Sequence, residues 1–206
     1  MKKFFSILLV CLMGAAAFAQ TAEEIVTRMD EVMEQDKNQG MTMTMDMKIP
    51  LLGTISTTAY VLGDKMRAEA DVSGNKLITW QDNTTSWTYD VEKNEVEIEN
   101  KANSSSDAED NAKMLDGITD GYSVSIKRQT ADAWYITCKK LRTNTSKDDP
   151  KTMDLVVAKG SYMPISLSAT VSLVTVTLRN FAFGVTESQV TFNPANYPGV
   201  LIVDKR

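Results

Sequence analysis

Between Thr21 and Gly40 the apolar residues of this chain recur at helical spacing; just beyond Gly40 they recur at every second position. Met41, Met43, Met45, Met47 and Ile49 alternate with Thr42, Thr44, Asp46 and Lys48, the pattern of a strand with one apolar and one wet face. After Pro50 and Gly53, the residues Ile55, Thr57, Ala59 and Val61 continue it to a turn at Gly63-Asp64. Further strands are expected over 65–72, 76–81, 86–91, 95–99, 122–129, 133–141, 152–158, 164–173, 174–183 and 189–192. That makes about eleven strands in an antiparallel meander. A sheet of this length, apolar on one face only, is expected to curl or close around that face and leave a hollow partly plugged by helices.

Two helices are expected. Thr21-Ala22-Glu23-Glu24 has the form of a capping box ahead of Ile25, Met29, Val32 and Met33, and Gly40 supplies the stop. A second, short helix is expected over Asp107–Leu115, within a polar stretch that begins at Asn100.

At the N-terminus, Lys2-Lys3, the apolar run Phe4–Gly14 and Ala17-Phe18-Ala19 follow the order of an export signal cleaved after Ala19. The run is shorter than a bilayer-spanning helix requires. The expected organisation is a leader over 1–19 and a single domain over 20–206. Cleavage would remove two lysines and no acid, taking the formal charge from −5 to −7, and would leave Cys138 as the one cysteine. A lone thiol forms no internal disulfide, so the core must carry the stability. Cys138 shares a strand face with Trp134 and Ile136 and reads as a buried structural residue.

Composition narrows the chemistry. The 206 residues include no histidine, which excludes the Ser-His-Asp and Cys-His nucleophile arrangements and imidazole metal sites. The acidic balance and the absence of a long basic run argue against a nucleic-acid partner. No carboxylate spacing favours a catalytic site, and Asp107, Glu109 and Asp110 lack the glycine and terminal glutamate of a calcium loop. The expectation is a protein that is not an enzyme, with no cofactor and no resident metal.

Binding candidates remain. The alternating methionines have unbranched, polarizable side chains that adapt to varied apolar shapes. Three readings are open: packing against the N-terminal helix, contact with an apolar cargo, or Cu(I) ligation by thioethers. Trp80, Trp87 and Tyr89 are either core or cavity lining. Arg67 either points into the hollow, where a buried charge wants a partner, or faces solvent.

The stretch from Gly63 to Ile98 resembles the signature region of the periplasmic lipoprotein carriers, the LolA/LolB-like superfamily. Met66-Arg67 stands where the family has Phe-Arg, Leu77-Ile78 matches its Leu-Ile, Asp82-Asn83 its Asp-Gly, and Trp87-Thr88-Tyr89-Asp90 its Trp-x-Tyr-Asp. The segment Phe192–Val200 resembles the family's F.P..YPG ending. The resemblance implies a mainly β fold: an unclosed antiparallel β-barrel with an N-terminal helix and a short helical lid. It further implies a periplasmic carrier that shields acyl chains of lipoproteins or lipids in a concave apolar cavity. That carrier would deliver them toward the outer membrane as a monomer, through transient inner- and outer-membrane partners. The cavity would be lined by Met41, Met43, Met45, Met47, Ile49, Met66, Trp80, Trp87 and Tyr89, with Arg67 contacting the lid or a cargo head group. The alternative is a binding or structural module whose hollow is filled by its own helices, or a methionine-based Cu(I) protein.

Overall fold

The computed structural model describes residues 20–101, 119–147 and 149–206; the expected leader and the expected helix over Asp107–Leu115 lie outside them. The first helix, α1 (Ala22–Asp36), begins as the capping box requires. The Glu24 N–H donates to the Thr21 hydroxyl at 3.1 Å, and the Thr21 N–H donates to the Glu24 carboxylate at 3.0 Å. A 3₁₀ turn over Lys37–Gln39 leads to Gly40, which has φ +69. A Cβ there would come within 2.6 Å of the Val61 carbonyl oxygen and 2.9 Å of the Val185 Cβ, so both backbone conformation and space demand glycine.

Among the described residues twelve strands follow: β1 (Met41–Ile49), β2 (Gly53–Leu62), β3 (Lys65–Val72), β4 (Asn75–Gln81), β5 (Thr85–Asp90), β6 (Glu95–Asn100), β7 (Tyr122–Gln129), β8 (Ala133–Lys140), β9 (Thr152–Ala158), β10 (Pro164–Val171), β11 (Val174–Phe183) and β12 (Leu201–Asp204). They form one sheet in the order β12-β6-β5-β4-β3-β2-β1-β11-β10-β9-β8-β7. All neighbours are antiparallel except β12, which runs parallel to β6. The two ends of this order do not pair with each other, so the curved sheet is an unclosed barrel.

Two expectations at the C-terminus are corrected. Residues 189–192 do not form a strand; a short helix, α2 (Glu187–Val190), stands there instead. Its signal is a second cap, in which the Thr186 N–H donates to the Gln189 side-chain oxygen at 2.7 Å. The twelfth strand, β12, was not expected, because four residues are too few to establish a period.

The register fixes which side chains share a face. Met41 faces Val61, Val61 faces Met66, and Met66 faces Gln81; this row and its alternates define the inner face. The α1 residues Ile25, Val26 and Met29 pack there against Met41, Met43, Leu155, Leu167, Leu178 and their neighbours. Each fully buried aliphatic residue contributes about 1.5–3 kcal/mol. Cys138 belongs to this core with no exposed surface, and burial pushes its thiol up to about 11.

Candidate functional site

The inner face is not uniformly covered. Along β1 the side chains of Met41 and Met43 are buried in the helix-packed core, Met45 packs at its edge, and Met47 and Ile49 lie beyond it, half-buried. The five residues therefore form one apolar track that starts under α1 and runs out toward the far end of the strand. The register extends it sideways. Met47 faces Val176 on β11 and Ile55 on β2, and Val176 faces Ala169 on β10.

Beside the track the floor is made of short side chains. Met43 is followed across the sheet by Ala59 and Ala68, and Met45 by Thr57 and Ala70. Small residues next to long, flexible ones leave depth that methionine can fill or vacate by changing rotamer. Met66 also points inward and forms a buried pair with Val61. Farther on, over β5 and β6, the same face turns polar, with Ser86, Thr88, Glu97 and Glu99 in line. The inner face is thus apolar in the middle and on the α1 side, and wet at the β6 edge.

The nine residues expected to line one cavity do not share a face. Arg67 faces Trp80, Trp80 faces Trp87, and Trp87 faces Ile98, all on the side opposite Met66 and Gln81. Tyr89 faces Val96 in the next row of that outer side. These rings are covered by the chain after α2. Trp80 lies 5.3 Å from Phe192 and 5.5 Å from Tyr197 between ring centroids, Tyr89 lies 4.9 Å from Tyr197, and Trp87 stacks on Phe192 at 6.0 Å. The sheet therefore exchanges its apolar face between β1 and β4. The reason is the C-terminal segment, whose Phe192 and Tyr197 need a partner surface and find it on the outside of β4 and β5.

Arg67 belongs to this outer cluster. Its guanidinium is 5.4 Å from the Tyr60 ring centroid and 5.5 Å from that of Trp80, and it pairs with Glu69 at 2.5 Å. Its Nε is buried and has no hydrogen-bond partner among the described residues. Sequence reasoning did not anticipate Phe192 and Tyr197 as the partners of these rings. The signal is the aromatic pair on either side of Pro194, with Pro198 directly after Tyr197, which holds two large rings outside any strand.

No protein-family model matches the chain, and no curated protein does. Solved structures match it in shape. Lipoprotein LppX of Mycobacterium tuberculosis aligns over 79% of this chain and 96% of its own, with a TM-score of 0.50 and 10% identity. The chain has the fold of LppX. Two further structures align over more of the chain but more loosely. An uncharacterized conserved protein from Thermus thermophilus aligns over 89% of this chain and 99% of its own, at a TM-score of 0.48 and 15% identity. A LolA superfamily protein from Nitrosomonas europaea aligns over 86% and 100%, at 0.37 and 10%. A LolA-like fold is the reading shared by the sequence motifs and the unclosed twelve-stranded sheet under its N-terminal helix. At these identities the likeness is one of fold.

Proposed function

We propose that this protein is an exported, non-catalytic carrier that shelters acyl chains of a lipoprotein or lipid on the inner face of its sheet. It would cross the periplasm with them, as a monomer, toward the outer membrane. The observation that supports this most is the track Met45-Met47-Ile49. It continues past the helix-packed core, with short side chains beside Met43 and Met45 and with Ile55 and Val176 beside Met47. A strand meant only to hold α1 would end its apolar run where the helix ends. Burying acyl methylenes at about 0.8 kcal/mol each lets one long chain supply on the order of 10 kcal/mol. Release then requires an acceptor that is more apolar still, or closure of the site. Such a carrier needs no single cargo shape, since methionine adapts to the chain it meets.

The expected cavity set is accordingly narrowed to Met45, Met47 and Ile49, with Met41, Met43 and Met66 beneath and beside them. Trp80, Trp87, Tyr89 and Arg67 are assigned to holding the C-terminal segment. The test is uptake of a fluorescent fatty acid. The wild type should bind it and Met47→Ser/Ile49→Ser should bind it at least tenfold more weakly at equal thermal stability. Equal uptake by both proteins would place the cargo elsewhere, and no uptake by the wild type would remove the carrier reading.

A further inference from the structure

The three most exposed large apolar side chains among the described residues are Leu51, Leu52 and Leu173, at 107%, 79% and 75% of full exposure. They are not scattered. Leu51 and Leu52 form the turn between β1 and β2, and Leu173 lies in the turn between β10 and β11. Because Lys48 on β1 faces Thr175 on β11, both turns emerge side by side at one end of the sheet. It is the end toward which the methionine track runs, away from Met41.

The first turn carries a second, independent mark. The Leu52 N–H donates to the Ile49 carbonyl at 3.2 Å across Pro50 and Leu51, and Leu51 has φ +68. A turn with proline first and a positive φ second wants glycine or asparagine at that second place. A leucine held there strains the backbone and exposes its side chain completely, and the fold gains nothing from the side chain in return.

We propose that these two hairpin tips dock the protein onto a lipid surface, with Leu51, Leu52 and Leu173 entering the outer acyl layer. The surroundings favour lipid over a protein partner. In a chain with 24% charged residues, none occurs from Ile49 to Gly63 or from Gly160 to Leu178. Protein partners are told apart largely by charged rims, which these two segments lack. Behind the leucines stand hydroxyls instead: Thr54, Thr170, Ser172 and Thr175, with Thr170 and Thr175 hydrogen-bonded at 2.9 Å. Apolar tips backed by a belt of hydroxyls match the order of acyl chain and head-group layer at a bilayer surface. Lys48, exposed just behind Ile49, can keep its ammonium at the head-group level. The docking rests on the carrier reading for its purpose but not for its chemistry.

Flotation with protein-free phosphatidylcholine vesicles tests it. The wild type should float with the vesicles, equally at low and high salt, because no charge pairing holds it. The variant Leu51→Gly/Leu52→Ser/Leu173→Ser should lose about a hundredfold or more in vesicle affinity. Leu51→Gly alone relieves the positive φ, so a melting temperature at or above that of the wild type shows that the loss is not unfolding. Fatty-acid uptake by the triple variant should be unchanged. A wild type that does not float, or that floats only with membranes retaining their native proteins, overturns the lipid assignment. So does a triple variant that floats as well as the wild type. If fatty-acid uptake is absent while flotation follows the leucines, the carrier reading fails and the docking stands.

Discussion

Trp80 packs against Phe192 with ring centroids 5.3 Å apart, and the contact lies on the opposite face of the sheet from Met66. One half of the sheet is closed by the N-terminal helix on the inside, the other by the C-terminal segment on the outside. On the proposed carrier reading, stability and cargo binding rest on different residues and are separable by mutation.

Phe192→Ala should destabilise the protein by about 2–3 kcal/mol, since it removes one ring that touches Trp80, Trp87 and Tyr197. Chemical denaturation followed by tryptophan emission measures it, with a red shift from newly wetted Trp80 and Trp87. Fatty-acid affinity should not change. A loss of affinity at full stability would return these aromatics to the binding site.

Met43 and Met47 lie on the same face of β1 with Met45 between them, and they should behave differently. Met43 is 3% exposed inside the α1 core, and Met43→Ala is expected to cost about 2–4 kcal/mol. Met47→Ala should cost well under half as much and weaken acyl binding instead. Denaturation midpoints and ligand titrations on the pair give both readouts.

The alternation of Met41 to Ile49 made the strand legible, and the Thr21…Glu24 pair made the helix start legible, because both are local signals within a few residues. What the sequence withheld was parity between distant strands. Trp80 and Gln81 alternate as plainly as Met43 and Thr44, but which of them sits on the inner side depends on every turn between β1 and β4. Nothing local to Trp80 records it. Phe192 looks like the end of a strand for a related reason: Gln189–Phe192 alternates, and only the Thr186…Gln189 cap shows that the segment is a helix followed by an aromatic cover.

The capping box itself is testable. Thr21→Ala removes the hydroxyl that accepts the Glu24 N–H and should lower stability by about 1 kcal/mol. Thr21→Ser should restore most of it. Thermal melts of the three proteins decide.

Cys138 titrates far above neutral pH because burial disfavours the thiolate, which raises its pKa from the ordinary 9.0 to about 11. A group whose folded pKa is raised supports the fold fully below its unfolded value, so this contribution is present below about pH 9 and is lost as pH climbs toward 11. Alkylation by iodoacetamide at about pH 8, below both values, should proceed only through unfolding, and Cys138→Ala should flatten the alkaline loss of stability. Fast labelling of the native protein would contradict the burial.

The central claim, that the inner face carries acyl chains, is tested most directly by native mass spectrometry of the protein purified without detergent from the cell envelope, with solvent extraction alongside. The account predicts a bound mass that extracts as acylated material and disappears in Met47→Ser/Ile49→Ser. A bare polypeptide mass that also takes up no added fatty-acyl ligand would contradict it and leave the methionine track as core alone.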